Sequence, residues 1–545
     1  MDVMLPMDAY REKFRYAYLA LYEALKDAML QGRLAYGTKL PSSRELSARY
    51  GLSRGSVNRA YDMLISEGYA AAERGSGTYV LYRVRQEDAT GQEPGEPPKL
   101  SAWANRVTGW DRNQLMRPAP GIRTAGGAAR KNANGSAAEG KPGAVQGAAQ
   151  GKAGRKRGGD SGLAGEVRER ADSSVSTAAE VAGERVSFHL GEPDLSMFPA
   201  QEWSRLVSRE VRRSSRTGRR GSDGAQGHLP LREGIAQYLR RARGIDAEAA
   251  DIVVYSGSSQ ALAMLALLLL DPGEPAVLEN PGYPGTLRAV EAAGAVPLFA
   301  RVDGQGLAPE DWPARVLFTG AARQYPTGAV LPLERRQALL AWAERRGAVI
   351  VEDDYDSEFR WAGRPLTPLK GMDRAGRVIY VGTFTKTMLP EVRIGYALLP
   401  RSLVRAAVQA KALFEPHPSA AVEQRALAAF MNSGGYERHL RRMTRHYGRK
   451  AQLLSGLLRS RLNGAFDWVK SDAGLHMFGW WKGETSLYNT YRNACVQAGA
   501  EWTDASSYDF LEARPAACLG FAHLTESEME RGVERLAGIW KQMNS

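Results

Sequence analysis

Cysteine is nearly missing from this chain of 545 residues, with Cys495 and Cys518 its only two. Two thiols cannot build a disulfide framework or a thiolate zinc site, so the expected compartment is the reducing cytoplasm and no metal is expected. Long apolar runs are missing too. The longest, Ala261 to Leu270, has ten residues, against the ~20 that span a bilayer. It reads as a buried core helix, and no membrane partner is expected. The opening MDVMLPMDAYREKFR lacks the apolar stretch of a secretory leader. Acidic charge is in deficit, 60 residues against 73 basic ones, leaving +13. Such an excess draws a protein toward polyanions, nucleic acid first, although an alkaline-shifted soluble enzyme carries the same bias.

What is present falls into three segments. Residues 8–82 read as a compact, mostly helical domain. Residues 83–185 read as a linker: Gly121 to Arg170 holds ten basic and four acidic residues among Gly, Ala and Ser with no hydrophobic period. Such a stretch cannot bury enough apolar surface to offset its ordering entropy. A flexible chain of that length reaches on the order of 50–60 Å, and its charge serves either DNA affinity or solvation. Before it, KLSAWANRVTGW has enough Leu, Trp and Val to dock as a short helix. From 186 to 545, strand-like runs such as DIVVYSG, AVIVEDD and RVIYVGT alternate with amphipathic stretches such as LERRQALLAWAERRG. Short apolar strands alternating with helices imply βαβ units and a mainly parallel sheet.

In the first segment, Phe14, Tyr18, Leu21, Leu25 and Ala28 share a face of one helix expected over 10–31. Ser42 with Glu45 three residues on is a capping box, Gly51 a C-terminal stop, and Ser53 the cap of a second helix running to about Glu67. Two helices joined so tightly form a helix-turn-helix, whose second helix fits the major groove. YAAAERGSGTYV then reads as a hairpin turning at Gly75–Gly77, the wing. This string resembles the GntR-type winged-helix signature. The resemblance implies double-stranded operator DNA as partner, Arg44 and Arg54 as contacts, Ser56 at the start of the recognition helix and Gly77 at the wing tip. Many relatives carry arginine where Asn58 stands, so base contacts there should differ, with Arg59 helping. A guanidinium can bridge two guanine acceptors or clamp a phosphate.

In the last segment, GTFTKTMLPEVRIGY surrounds Lys386 with the hydroxyls of Thr383 and Thr385 and the guanidinium of Arg393. Pyridoxal 5′-phosphate (PLP) needs a lysine amine and donors for its phosphate. VIVEDDYDSEFR places acids at the carboxyl end of a strand, where open α/β sheets bind ligands. Asp353 is the candidate for holding the ring nitrogen protonated, and Tyr355 for bonding the ring oxygen. Such acids also suit magnesium or calcium, but no second oxygen cluster supports that. SGSSQAL opens a helix, so its amides and Ser258, Ser259 and Gln260 can cradle phosphate. In ENPGYPG, Tyr283 either stacks on the ring or is a core aromatic.

The order FHLGEPDLSMFP, GHLPLREGIAQYL, SGSSQAL, ENPGYPG, QYPTG, EDDYDSEFRWAGRPL, GTFTKTMLPEVRIGY resembles the aminotransferase-like domain of MocR/GabR-type regulators. The resemblance implies a fold-type-I PLP transferase domain with large and small subdomains behind an α+β winged helix. It implies Lys386 as Schiff-base lysine and catalytic residue, Asp353 and Tyr355 at the ring, Arg393 at the phosphate, and a domain-swapped homodimer. Three departures stand out. Arg323 stands where a histidine is common, Tyr325 replaces the asparagine usual before Pro-Thr-Gly, and Cys518 stands where aminotransferases carry a carboxylate-gripping arginine, a role Arg323 would fill only by reaching the pocket. The expected function is therefore a transcriptional regulator sensing an amino compound or PLP itself. The rival reading is a working aminotransferase with an accessory winged helix.

Overall fold

The computed structural model describes residues 4–14, 16–73, 77–82, 97–108, 185–217, 224–361 and 366–544. The basic stretch at 121–170 and the hairpin tip at 74–76 lie outside them.

The N-terminal domain starts with α1 (Met7–Lys13) and α2 (Ala17–Leu30) where one helix was expected. The break lies at Phe14 and Tyr16, both in extended conformation. It lets α1 fold back, so that Leu5 and Met7 join the buried cluster and the Tyr10 hydroxyl donates to Asp27 at 2.5 Å. A straight helix would leave those apolar side chains in water, which decides against it. Next come α3 (Ser43–Tyr50) and α4 (Arg54–Ser66). Ser42 and Glu45 form the reciprocal capping box, Gly51 ends α3 in the left-handed region, and Ser53 caps α4 through the Ser56 amide at 3.1 Å. Strands β1 (Ala70–Glu73) and β2 (Gly77–Val80) pair antiparallel as the wing. Leu21, Leu25, Leu46, Val57, Leu64 and Val80 fill the core between these elements.

Inside the segment read as linker, α5 (Ala102–Thr108) is ordered and docked: the Ser101 hydroxyl donates to the Leu267 carbonyl at 2.6 Å, and Ala104 and Val107 are buried. The chain then supplies β3 (Val186–Phe188), α6 (Ala200–Thr217), α7 (Leu229–Tyr238), β4 (Ile252–Tyr255), α8 (Ser258–Leu269), β5 (Pro275–Asn280) and α9 (Pro284–Ala292). These are followed by β6 (Val296–Asp303), β7 (Gly306–Leu307), β8 (Val316–Thr319), α10 (Leu333–Arg346), β9 (Val349–Asp354), α11 (Leu369–Met372), β10 (Val378–Thr383) and β11 (Gly395–Leu398). Eight strands form one sheet in the order β4-β11-β10-β9-β8-β5-β6-β7. The pairs β10–β9, β9–β8, β8–β5 and β5–β6 are parallel, and β11 runs antiparallel to both neighbours. Helix α8 is the ten-residue apolar run of the sequence, and it packs buried against this sheet.

A smaller layer follows: α12 (Arg401–Phe414), α13 (Ala421–Asn432), the 27-residue α14 (Gly435–Arg461), β12 (Phe466–Trp468), β13 (His476–Trp481), α15 (Thr485–Gln497), β14 (Ala500–Asp504), β15 (Ala516–Gly520) and α16 (Glu526–Asn544). Its five-stranded sheet runs β12-β13-β15-β14-β3, so the chain's return to β3 at Val186 closes its edge in parallel with β14. The architecture is the expected one, a mainly parallel sheet with a second subdomain behind a winged helix. The carboxyl ends of β4, β9 and β10 open into one crevice, where a ligand is expected in such a sheet.

Candidate functional site

The crevice holds a cavity of about 520 Å³, and the structure brings most of the sequence-derived candidates to its wall: Ser258, Ser259, Tyr283, Asp353, Tyr355, Thr383, Thr385, Lys386 and Arg393. Each side chain is placed by an element end. Helix α8 begins at Gly257, whose φ of +96° only glycine adopts readily, and the Arg393 guanidinium crosses it 3.1 Å from where a Cβ would stand. The helix's first amides, its Ser258 and Ser259 hydroxyls and Arg393 thus converge, an arrangement suited to an anion. Thr383, at the end of β10, is 3.0 Å from the Thr385 hydroxyl, and its Oγ1 accepts from the Thr385 amide at 3.2 Å. This tight turn brings Lys386 onto the cavity.

Lys386 Nζ donates to the Gly191 carbonyl at 3.0 Å. Burial first, then the neighbouring Arg393 charge, holds its pKa below the ordinary lysine value despite Asp356. An amine with a lowered pKa carries more of the free base that attacks a carbonyl. Asp353, the penultimate residue of β9, lies on the same wall. Its Oδ1 is closed off from water without a partner, and burial together with Asp354, Glu279 and Asp356 pushes its pKa up to about 7. A carboxyl so placed gains from any cation brought to it.

Tyr355 accepts a hydrogen bond from Arg323 Nη1 at 2.8 Å, which leaves its own proton to donate into the cavity. Tyr283 is half-buried, meets Tyr325 edge to face and lies 3.4 Å from the Ser259 hydroxyl. One candidate is elsewhere. Gln260 turns back from the cavity, accepting from the Ser256 amide at 2.7 Å and donating to Glu415 at 2.7 Å, because its amide closes the turn before α8. Arg323 also fails as a carboxylate grip. It is fully buried, and its donors go to the Ala473 and His476 carbonyls, Tyr355 and Asp356. Cys518 is buried too, with its thiol pKa raised by burial.

Sequence reasoning passed over His189, Asp356, His476, Thr503 and Tyr508, which share the cavity wall. Asp356 had a local signal in EDDYDSEF. The others come from distant segments that only the fold joins. His476 bonds the Pro326 carbonyl at 2.8 Å, and burial beside Arg323 keeps it neutral.

On the winged helix, Arg44, Arg54, Asn58, Arg59 and Gly77 are exposed and Ser56 half-buried. The Ser56 hydroxyl pairs with Ser53 at 2.9 Å, so it serves the cap of α4. Arg59 stacks on the Tyr18 ring at 3.9 Å, a cation–π contact that fixes its direction. Exposed Lys39 bridges to Tyr79 of the wing, a basic residue the motif reading omitted.

Comparison with known proteins places both halves. Residues 186–536 match the family of class I and II aminotransferases, and residues 17–80 match the gntR family of bacterial regulatory proteins. The probable rhizopine catabolism regulatory protein MocR of Rhizobium meliloti is 32% identical over 96% of this chain and 94% of its own. The pyridoxine biosynthesis transcriptional regulator PdxR of Corynebacterium glutamicum is 29% identical over 80% and 78% of the two chains. Among solved structures, a kynurenine aminotransferase of Pyrococcus horikoshii shares the fold, with a TM-score of 0.60 and 24% identity over 70% of this chain and 96% of that one.

The cofactor of such a domain is PLP, and the donor set fits it. Asp353 Oδ1 lacks the cation that a protonated pyridine would bring, the α8 amides with Arg393 suit a phosphate, and Lys386 offers the amine. The Asp353 carboxyl titrates near 3.8 in an unfolded chain and near 7 here, so the folded protein holds a proton the unfolded one has lost between those values. Stability of the PLP-free protein therefore falls as pH rises through that window. Asp353→Asn should raise the melting temperature of PLP-free protein at pH 8 and leave it little changed at pH 4, by calorimetry. The same change should weaken PLP binding by about 2 kcal/mol, about 30-fold in Kd.

Proposed function

The chain belongs to the MocR-type transcriptional regulators, and on that premise we propose that its large domain holds PLP on Lys386 and senses a small amino compound, or PLP itself, to control operator binding by the winged helix. Bound PLP supplies an electrophilic aldehyde for amines. The residues around it orient and hold: Asp353 keeps a proton at the ring nitrogen, Tyr355 donates to the ring oxygen, and Arg393, Ser258, Ser259, Thr383 and Thr385 share the phosphate. Arg44 and Arg54, with Asn58 and Lys39, meet the duplex. Two copies with paired winged helices would read repeated half-sites, and a cytoplasmic homodimer is the form this reading implies.

The observation that favours sensing over turnover is the position of Cys518. An aminotransferase holds a substrate carboxylate with a guanidinium there. Here a buried neutral thiol takes its place, and the nearby Arg323 has spent its donors on Tyr355, Asp356 and two carbonyls. A ligand can shift DNA binding only through its different affinities for two states of the protein.

Lys386→Ala should lose the visible absorbance of lysine-bound PLP and the effector response while keeping basal operator binding. A folded variant that loses all DNA binding contradicts the sensor role. Arg54→Ala should weaken binding to a duplex from the protein's own promoter by about 1–3 kcal/mol and leave the PLP absorbance unchanged, as fluorescence anisotropy and spectrophotometry would report together.

A further inference from the structure

The winged helix touches the large domain through a small set of buried polar groups, and those groups lead back to the cofactor strand. On the winged-helix side, α2 presents Tyr22, Glu23 and Lys26, all buried. Tyr22 donates to Glu67 at 2.7 Å, and Lys26 Nζ donates to Thr367 Oγ1 at 3.1 Å. With those protons assigned, the 3.0 Å contact between Thr367 and Tyr22 is a bond donated by Thr367. A directed chain thus runs Lys26, Thr367, Tyr22, Glu67 across the two domains. Apolar contact backs it: Leu333 of α10 packs into the winged-helix core and lies 3.5 Å from the Cβ direction of Gly68.

The second contact is a close approach. Gly244 ends the turn after α7 in the left-handed region, φ +64°. Glu23 Oε1 sits 2.8 Å from the point where any Cβ at 244 would stand, and that oxygen is buried without a partner. Any residue but glycine there would strain the left-handed turn and push the Glu23 carboxyl aside.

Both contacts are tied to β9. The Thr367 segment leads into α11, whose Leu369 and Lys370 amides donate to the buried Glu352 carboxylate at 2.9 and 3.0 Å. Gly244 follows Arg243, whose guanidinium grips Asp354 and Ser357, while Tyr380 donates to Asp354 at 2.8 Å. Glu352 and Asp354 flank Asp353, the residue on the cavity wall. The two routes meet again at Gly371, whose Cβ direction runs into Thr367 Cγ2 at 2.7 Å and the Gly244 carbonyl at 3.2 Å.

We propose that Thr367 and Gly244 form a docking surface for the winged helix, each followed or preceded within three residues by groups hydrogen-bonded to an acid flanking Asp353, so that PLP occupancy of the cavity and docking of the DNA reader are thermodynamically coupled. This rests on the sensor reading above. PLP brings a cation to Asp353 and fixes that carboxyl as an anion between two others. The added charge changes how tightly Asp354 holds Arg243 and how Glu352 holds the turn before α11, and both anchors move with their holders. Sites linked in this way bias each other equally.

The test is hydrogen exchange of the full-length protein, PLP-free and PLP-loaded, read at the α2 amides. PLP should change the opening equilibrium of α2 by about fivefold or more in the wild type. Thr367→Val keeps the shape, removes both bonds of the chain, and should cut that change to less than about twofold while the visible PLP absorbance still forms. Lys26→Met removes the same contact from the other domain, far from the cavity, and should act alike if the first variant folds poorly. An α2 response equal to wild type in both variants overturns the proposal, as does wild-type protein that takes up PLP with no change in α2. Failure of the cofactor reading looks different, because no visible absorbance then forms at all.

Discussion

Three consecutive acids, Glu352, Asp353 and Asp354, end the central strand β9, with Glu352 and Asp354 buried and the Oδ1 of Asp353 closed off from water. Like charges crowded in a low-dielectric interior cannot all ionise without partners. The alternation of a strand separates them. Glu352 takes two backbone amides, Asp354 takes Arg243 and Tyr380, and Asp353 is left with an unpartnered oxygen on the cavity. The pKa values of Glu352 and Asp353, each pushed up to about 7, follow from burial first and from their acidic neighbours after it. On the proposed reading, a pyridinium beside Asp353 would give that oxygen the partner it lacks.

The neighbourhood of Arg323 completes the picture. A guanidinium stands near the place where a substrate-gripping arginine would be, but it is used as an interior strut: it orients Tyr355, neutralises Asp356 and helps keep His476 uncharged. The charge of an aminotransferase pocket is retained in this arrangement, and the free donors are not. On the proposed reading, that difference favours binding an amine over processing an amino acid.

Much of this was legible in the sequence because the relevant signals are local. The capping box at Ser42, the stop at Gly51, the wing, the apolar run of α8 and the alternation of strands with helices each depend on residues a few positions apart. So do the cofactor candidates, which cluster just past strand ends. What could not be read depends on distance in the chain. The break at Phe14–Tyr16 exists because Leu5 and Met7 reach a core made mostly by later residues. Gln260 lies in a helix-opening motif, yet Glu415, 155 positions away, takes its amide. His189, Thr503 and Tyr508 enter the cavity from segments whose own patterns carry no chemical sign. The contact of Thr367 with Tyr22 joins positions 345 apart, and neither residue announces it.

On the proposed coupling, the cofactor cavity and the DNA reader are parts of one equilibrium. Its most direct test is the affinity of the full-length protein for its promoter duplex, measured at fixed salt with PLP removed and with PLP restored. The two dissociation constants should differ by about fivefold or more, and the duplex should shift PLP affinity by the same factor. Equal dissociation constants, in protein that binds both PLP and the duplex, would contradict the coupling.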